Sequence, residues 1–122
     1  MARILIIDDD DQFRLMLRRV LEKEGYQVIE AVDGNDGMAQ FRRDKTDVVI
    51  TDLIMPEKEG VETIVGLRKE FPEVKIIAIS GGGRNAPGGY LMLAEKLGAM
   101  ATMEKPIDRI KLLALLEEMC HA

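Results

Sequence analysis

Four apolar runs of the 122-residue chain each lead into a residue able to do chemistry. Arg3 to Ile7 meets Asp8-Asp9-Asp10-Asp11, Val48 to Thr51 meets Asp52, Ile76 to Ile79 meets Ser80, and Met100 to Met103 leads on to Lys105-Pro106. In an open α/β sheet, ligands bind beyond the carboxyl ends of the strands, so Asp8, Asp9, Asp52, Ser80 and Lys105 are expected to converge on one edge. Two like charges about 4 Å apart at an effective dielectric near 20 repel by roughly 4 kcal/mol, so the three carboxylates need positive charge among them. Lys105 supplies one charge, and a hard divalent cation such as Mg²⁺, bound through oxygen ligands, brings the remainder close to neutrality. The same set suits in-line phosphoryl transfer. A carboxylate attacks, cationic groups neutralise the equatorial oxygens, and a hydroxyl donates a hydrogen bond.

The elements that must position these groups alternate between short Ile- and Val-rich runs and longer stretches with apolar residues every three or four positions. Strands are expected at Arg3 to Ile7, Val28 to Val32, Val48 to Thr51, Ile76 to Ile79 and Met100 to Met103, with four of the five buried on both faces. Phe13, Met16, Leu17, Val20 and Leu21 form the apolar stripe of a first helix, which leaves Arg14, Arg18 and Glu22 for solvent and stops at Gly25. Asp10 or Asp11 is expected to cap its start. Further helices are expected from Asn35 to Arg43, from Val61 to Phe71 before Pro72, from Pro87 to Gly98, and from Ile107 to about Met119. Strands that alternate with helices imply a parallel sheet covered on both faces by right-handed crossovers.

Composition narrows the function classes. Length and a hydrophobic fraction of 47% fit one domain spanning residues 1–122. A net charge of −5 opposes direct nucleic-acid binding. The apolar run from Ile4 to Ile7 meets four aspartates too soon for a membrane or signal segment, and the single Cys120 cannot form an internal disulfide. No membrane association and a cytoplasmic setting are therefore expected.

In order along the chain stand Ile-Leu-Ile-Ile-Asp8-Asp9, Asp52-Leu-Ile-Met55-Pro56 with Gly60, Ile-Ala-Ile-Ser80, Gly98-Ala99 and Lys105-Pro106. Together they resemble the receiver domain of bacterial two-component response regulators over the whole chain. The resemblance implies a flavodoxin-like, doubly wound (βα)5 fold with strand order 2-1-3-4-5. It implies Asp52 as phosphoacceptor, Asp8, Asp9 and Asp52 with the Ile54 backbone carbonyl as Mg²⁺ ligands, Ser80 as the switch hydroxyl and Lys105 as the phosphate-binding ammonium. It also implies a cis bond between Lys105 and Pro106, and a phosphodonor that is a sensor histidine kinase or a phosphotransfer protein. The output implied is a changed affinity for a downstream protein, so the chain is expected to be a signalling switch and not an enzyme with an external substrate.

Plainer readings exist for each residue. Asp8 and Asp9 could merely favour the first helix's dipole, Asp52 and Ser80 could serve turns or caps, and Lys105 could be solvated. Cys120 and the eight methionines fit packing, and His121 has no chemistry assigned to it. The Gly-rich segment from Gly81 to Gly89 lacks a P-loop ending and reads as a loop. Two departures from the family stand out: the stretch from Ser80 to Lys105 is longer than usual, and Thr102 stands where an aromatic residue is common, with Tyr90 a possible substitute. Ile54 and Gly82 stand at positions that tune hydrolysis in the family, and neither side chain can orient a water, so a long-lived modified state is expected. The last helix carries Ile107, Ile110, Leu112, Leu113, Leu115, Leu116 and Met119, more than one core stripe needs. The fourth helix, fifth strand and fifth helix are thus expected to form a partner or homodimer surface, with Leu113 and Leu115 in it. Two rival functions are a haloacid-dehalogenase-like phosphatase, suggested by Asp8-x-Asp10 but opposed by Gln12, and a receiver-like binding module that takes no phosphate.

Overall fold

The computed structural model describes residues 2–53, 60–80 and 95–121. Ile54, Met55, Pro56, the Gly-rich segment, Pro87 and Tyr90 lie outside these described residues. The elements run β1 (Arg3–Ile7), α1 (Asp11–Lys23), β2 (Gln27–Ala31), α2 (Gly34–Arg43), β3 (Val48–Asp52), α3 (Gly60–Glu70), β4 (Ile76–Ser80), β5 (Ala101–Glu104) and a C-terminal helix (Arg109–His121). Each expected strand forms, within a residue of its expected ends, in a fully parallel sheet ordered β2-β1-β3-β4-β5.

Strand alternation divides the core. Leu5, Ile7, Val49, Ile76 and Ala78 face α2 and α3, where Met38, Phe41, Ile64 and Leu67 cover them. Ile4, Ile6, Val48, Ile50, Ile77 and Ile79 face α1 and the C-terminal helix, where Leu17, Leu21, Leu112, Leu116 and Met119 cover them. β1, β3 and β4 are buried almost throughout, as their unbroken apolar runs require. The expectation that four strands are buried on both faces fails at β2, which is half-exposed along most of its length. It lies at one margin of the sheet, and an apolar run does not reveal that position.

Helix ends follow local chemistry. Asp10 caps α1, its carboxylate accepting from the amides of Gln12 and Phe13 at 3.0 and 3.1 Å, and Asp33 caps α2 in the same manner. Gly25 (φ 93) follows α1, and Gly98 (φ 121) follows the helical residues 95–97. On the C-terminal helix, Ile110 is 82% exposed, whereas Leu113 and Leu115 are half-buried against the core. Both remain partly exposed, Leu113 beside α1 and Leu115 beside β5, so the helix keeps apolar surface at these two residues and at Ile110.

No helix among the described residues is long and apolar enough to cross a membrane.

Candidate functional site

The carboxyl end of the sheet gathers Asp8, Asp9, Asp52, Ser80 and Lys105. Asp8 follows β1, Asp52 and Ser80 end β3 and β4, and Lys105 follows β5. Continuing the alternation of β1, β3 and β5 places Asp8, Asp52 and Lys105 on the α1 side of the sheet, the side of Ile6, Ile50 and Met103. Asp8 is 1% exposed and Asp52 7%, while Asp9 is open to solvent. One carboxylate oxygen from each of Asp8, Asp9 and Asp52 lies within 4.8 Å of the others.

Lys105 enters this cluster as its cation. Its Nζ donates to Asp8 Oδ2 at 3.0 Å and stands 3.7 Å from Asp52 Oδ2. The Lys105 amide donates to the Ser80 carbonyl at 2.8 Å, and the peptide bond to Pro106 is cis, as the resemblance implies. Burial pushes the Asp8 carboxyl above its usual range. The Asp10 amide and Lys105 pull it back, and the charge of Asp9 adds to the rise. Burial works against the Lys105 ammonium, yet its hydrogen bond to Asp8 and the charges of Asp8, Asp52 and Asp10 carry it above the ordinary lysine value. The proton therefore stays on Lys105, and one ammonium faces three carboxylates, two of them buried.

These donors fit Mg²⁺. They are all hard oxygens, and one from each of three carboxylates falls within 4.8 Å of the others, the kind of donor set that would hold a small divalent cation. The Ile54 carbonyl, also expected as a ligand, lies outside the described residues.

Two residues complete the site in ways the sequence did not announce. Arg14, expected in solvent, is only 8% exposed. Its guanidinium donates to the Asp8 carbonyl at 2.5 Å and to Glu30 on β2 at 3.0 Å, and it pairs with Asp11, so acceptors from three places draw it inward. Gly60 opens α3 directly behind Asp52. A β-carbon at Gly60 would stand 1.9 Å from the Asp52 carbonyl oxygen and 2.5 Å from the Leu53 Cα, so only glycine fits there. Gly60 was among the motif residues, but nothing in the sequence tied it to this contact.

Residues 4–117 match the response regulator receiver domain family. The chain belongs to that family. It is 36% identical over 107 residues to the chemotaxis protein CheY of Thermotoga maritima, covering 87% of each chain. It is 35% identical over 115 residues to the protein PilH of Pseudomonas aeruginosa, covering 93% of each. The structure resembles a response regulator receiver domain protein from Clostridium thermocellum with a TM-score of 0.89 at 29% identity, covering 98% of this chain and 94% of that one. This chain is therefore a receiver domain of two-component signalling. Within it, Thr102 is a half-buried residue of β5, so the strand offers no aromatic ring at that position.

Proposed function

We propose that this receiver accepts a phosphoryl group on Asp52 and acts as a switch whose own chemistry ends there. The observation that carries the reading is the buried Asp52 carboxylate beside Lys105, in a cluster with two further carboxylates. Asp52 attacks the phosphorus of a phosphohistidine on a sensor kinase or phosphotransfer protein. The new O–P bond forms as the P–N bond breaks, and the departing imidazole takes up a proton. Asp8, Asp9 and Asp52, with the Ile54 carbonyl, are the residues that would hold Mg²⁺. When bound, that ion supplies positive charge against the carboxylates and the phosphoryl oxygens. Lys105 neutralises a phosphoryl oxygen, and the Ser80 hydroxyl donates to another.

The modified Asp52 gains charge and acceptor oxygens, so Ser80 and Lys105 are drawn toward it and the adjoining loops follow. A downstream protein, or a second copy of the chain, then meets the face formed by the expected fourth helix, β5 and the C-terminal helix. The setting we propose is cytoplasmic.

Incubation with phosphoramidate and Mg²⁺, read by intact mass, tests this. One added phosphoryl group, lost in Asp52→Asn, is expected. No addition at all would leave a binding module. Turnover of a phosphate ester that Asp8→Asn removes and Asp52→Asn spares would instead point to a phosphatase.

A further inference from the structure

Lys105 has one neighbour that the phosphoryl-transfer reading leaves unused. Its Nζ lies 4.1 Å from the centroid of the Phe13 ring. Three features of the chain bring them together. Strand alternation sends Lys105 to the α1 side of the sheet. The Asp10 carboxylate fixes the first turn of α1 by accepting from the Phe13 amide. The half-buried Phe13 packs against the core beneath that turn. The ammonium therefore sits between two carboxylates and an aromatic face, and an aromatic face attracts a cation through its quadrupole, the more so where water is scarce.

We propose that Phe13 is a positioning residue for Lys105: its ring face keeps the ammonium pointed at Asp8 and Asp52 before a phosphoryl group arrives. A lysine side chain has four rotatable bonds, and the carboxylates alone define only one side of its position. With the ring on another side, fewer rotamers remain to be lost when the ammonium engages a phosphoryl oxygen. The proposal rests on Asp52 being the acceptor for its kinetic consequence, but not for the placement of Lys105.

The test uses the full chain with Phe13→Leu, Phe13→Tyr, Lys105→Ala and the Phe13→Leu/Lys105→Ala double variant. Should Phe13→Leu fail to fold, Phe13→Met, which also lacks a ring, replaces it. In lysine-labelled NMR spectra, the Lys105 ε-methylene signal is expected upfield of the exposed lysines in the wild type and in Phe13→Tyr, and among them in Phe13→Leu. A wild-type signal already among the exposed lysines would overturn the placement. With phosphoramidate and Mg²⁺, Phe13→Leu should slow phosphorylation at saturating donor by roughly threefold to tenfold, with Phe13→Tyr near the wild type. In the Lys105→Ala background, followed over longer incubations, Phe13→Leu should change nothing further. An unchanged rate in Phe13→Leu, or equal slowing in both backgrounds, would refute the positioning role. If the wild type takes no phosphoryl group, the assignment of Asp52 fails and the NMR result alone decides Phe13.

Discussion

The two ends of the sheet treat charge differently. At the amino ends of the strands, ion pairs are matched one to one and at least partly open to water. Arg3 grips Asp44 through both guanidinium nitrogens, and Arg42 grips Glu70 at 2.6 and 2.8 Å. At the carboxyl ends, three carboxylates share one ammonium, and two of the three are buried. Matched, exposed pairs add little to stability and carry no further demand. An unmatched buried set costs stability and persists where something else completes it.

The largest effect that sharpens this contrast is expected at Gly60. Alanine there drives a β-carbon into the Asp52 carbonyl, so Gly60→Ala should destabilise the protein by about 3 kcal/mol in urea unfolding. A loss below about 1 kcal/mol would show that the start of α3 yields, and that Asp52 is less tightly backed than its contacts indicate.

Arginine variants at the two ends come next. Arg14→Ala strips a buried donor from the Asp8 carbonyl and from Glu30 and should cost about 1–3 kcal/mol. Arg3→Ala, at the exposed end, should cost about 0–1 kcal/mol by the same measurement. Equal losses would erase the distinction between the ends.

Acid titration probes the network at the carboxyl end. The Arg18 hydrogen bond holds the Glu30 carboxyl below its usual value against the opposing effect of burial, and Arg14 adds to the lowering. A lowered carboxyl contributes stability that is complete above its unfolded value near 4.5 and is lost as pH falls through the lower folded value. Unfolding free energies measured from about pH 5 to pH 3 should therefore fall less steeply in Glu30→Gln than in the wild type. Parallel curves would mean that the network contributes nothing. The smallest effect belongs to Arg42→Ala, whose solvent-exposed pair should leave the melting midpoint within error.

The fold was legible because β1, β3 and β4 are unbroken apolar runs, each ending at a residue that no core would accept unaided. The gathering of Asp8, Asp9, Asp52 and Lys105 was legible for the same reason, since the ends of parallel strands lie together. What escaped was whatever depends on a second element. Helical periodicity places Arg14 on the polar face of α1, and only the Asp8 carbonyl and Glu30 turn it inward. Phe13 reads as one more apolar residue of a stripe until β5 brings Lys105 against its ring. The exposure of β2 follows from its place at a margin in the order 2-1-3-4-5, which the family resemblance implied but the apolar run itself does not show, and the contact between Gly60 and Asp52 depends on how α3 begins.

The bracing of Asp8 has one more consequence, which concerns molecules meeting one another. β2 forms a margin of the sheet, and such margins expose backbone groups that invite a strand from another chain. Glu30 lies within β2, with Arg14 and Arg18 closed around it. A newcomer strand would have to pair beside that ionic cluster, and charged side chains on a marginal strand disfavour an apolar partner there, so the residues that hold Arg14 against Asp8 also mark this edge with charge.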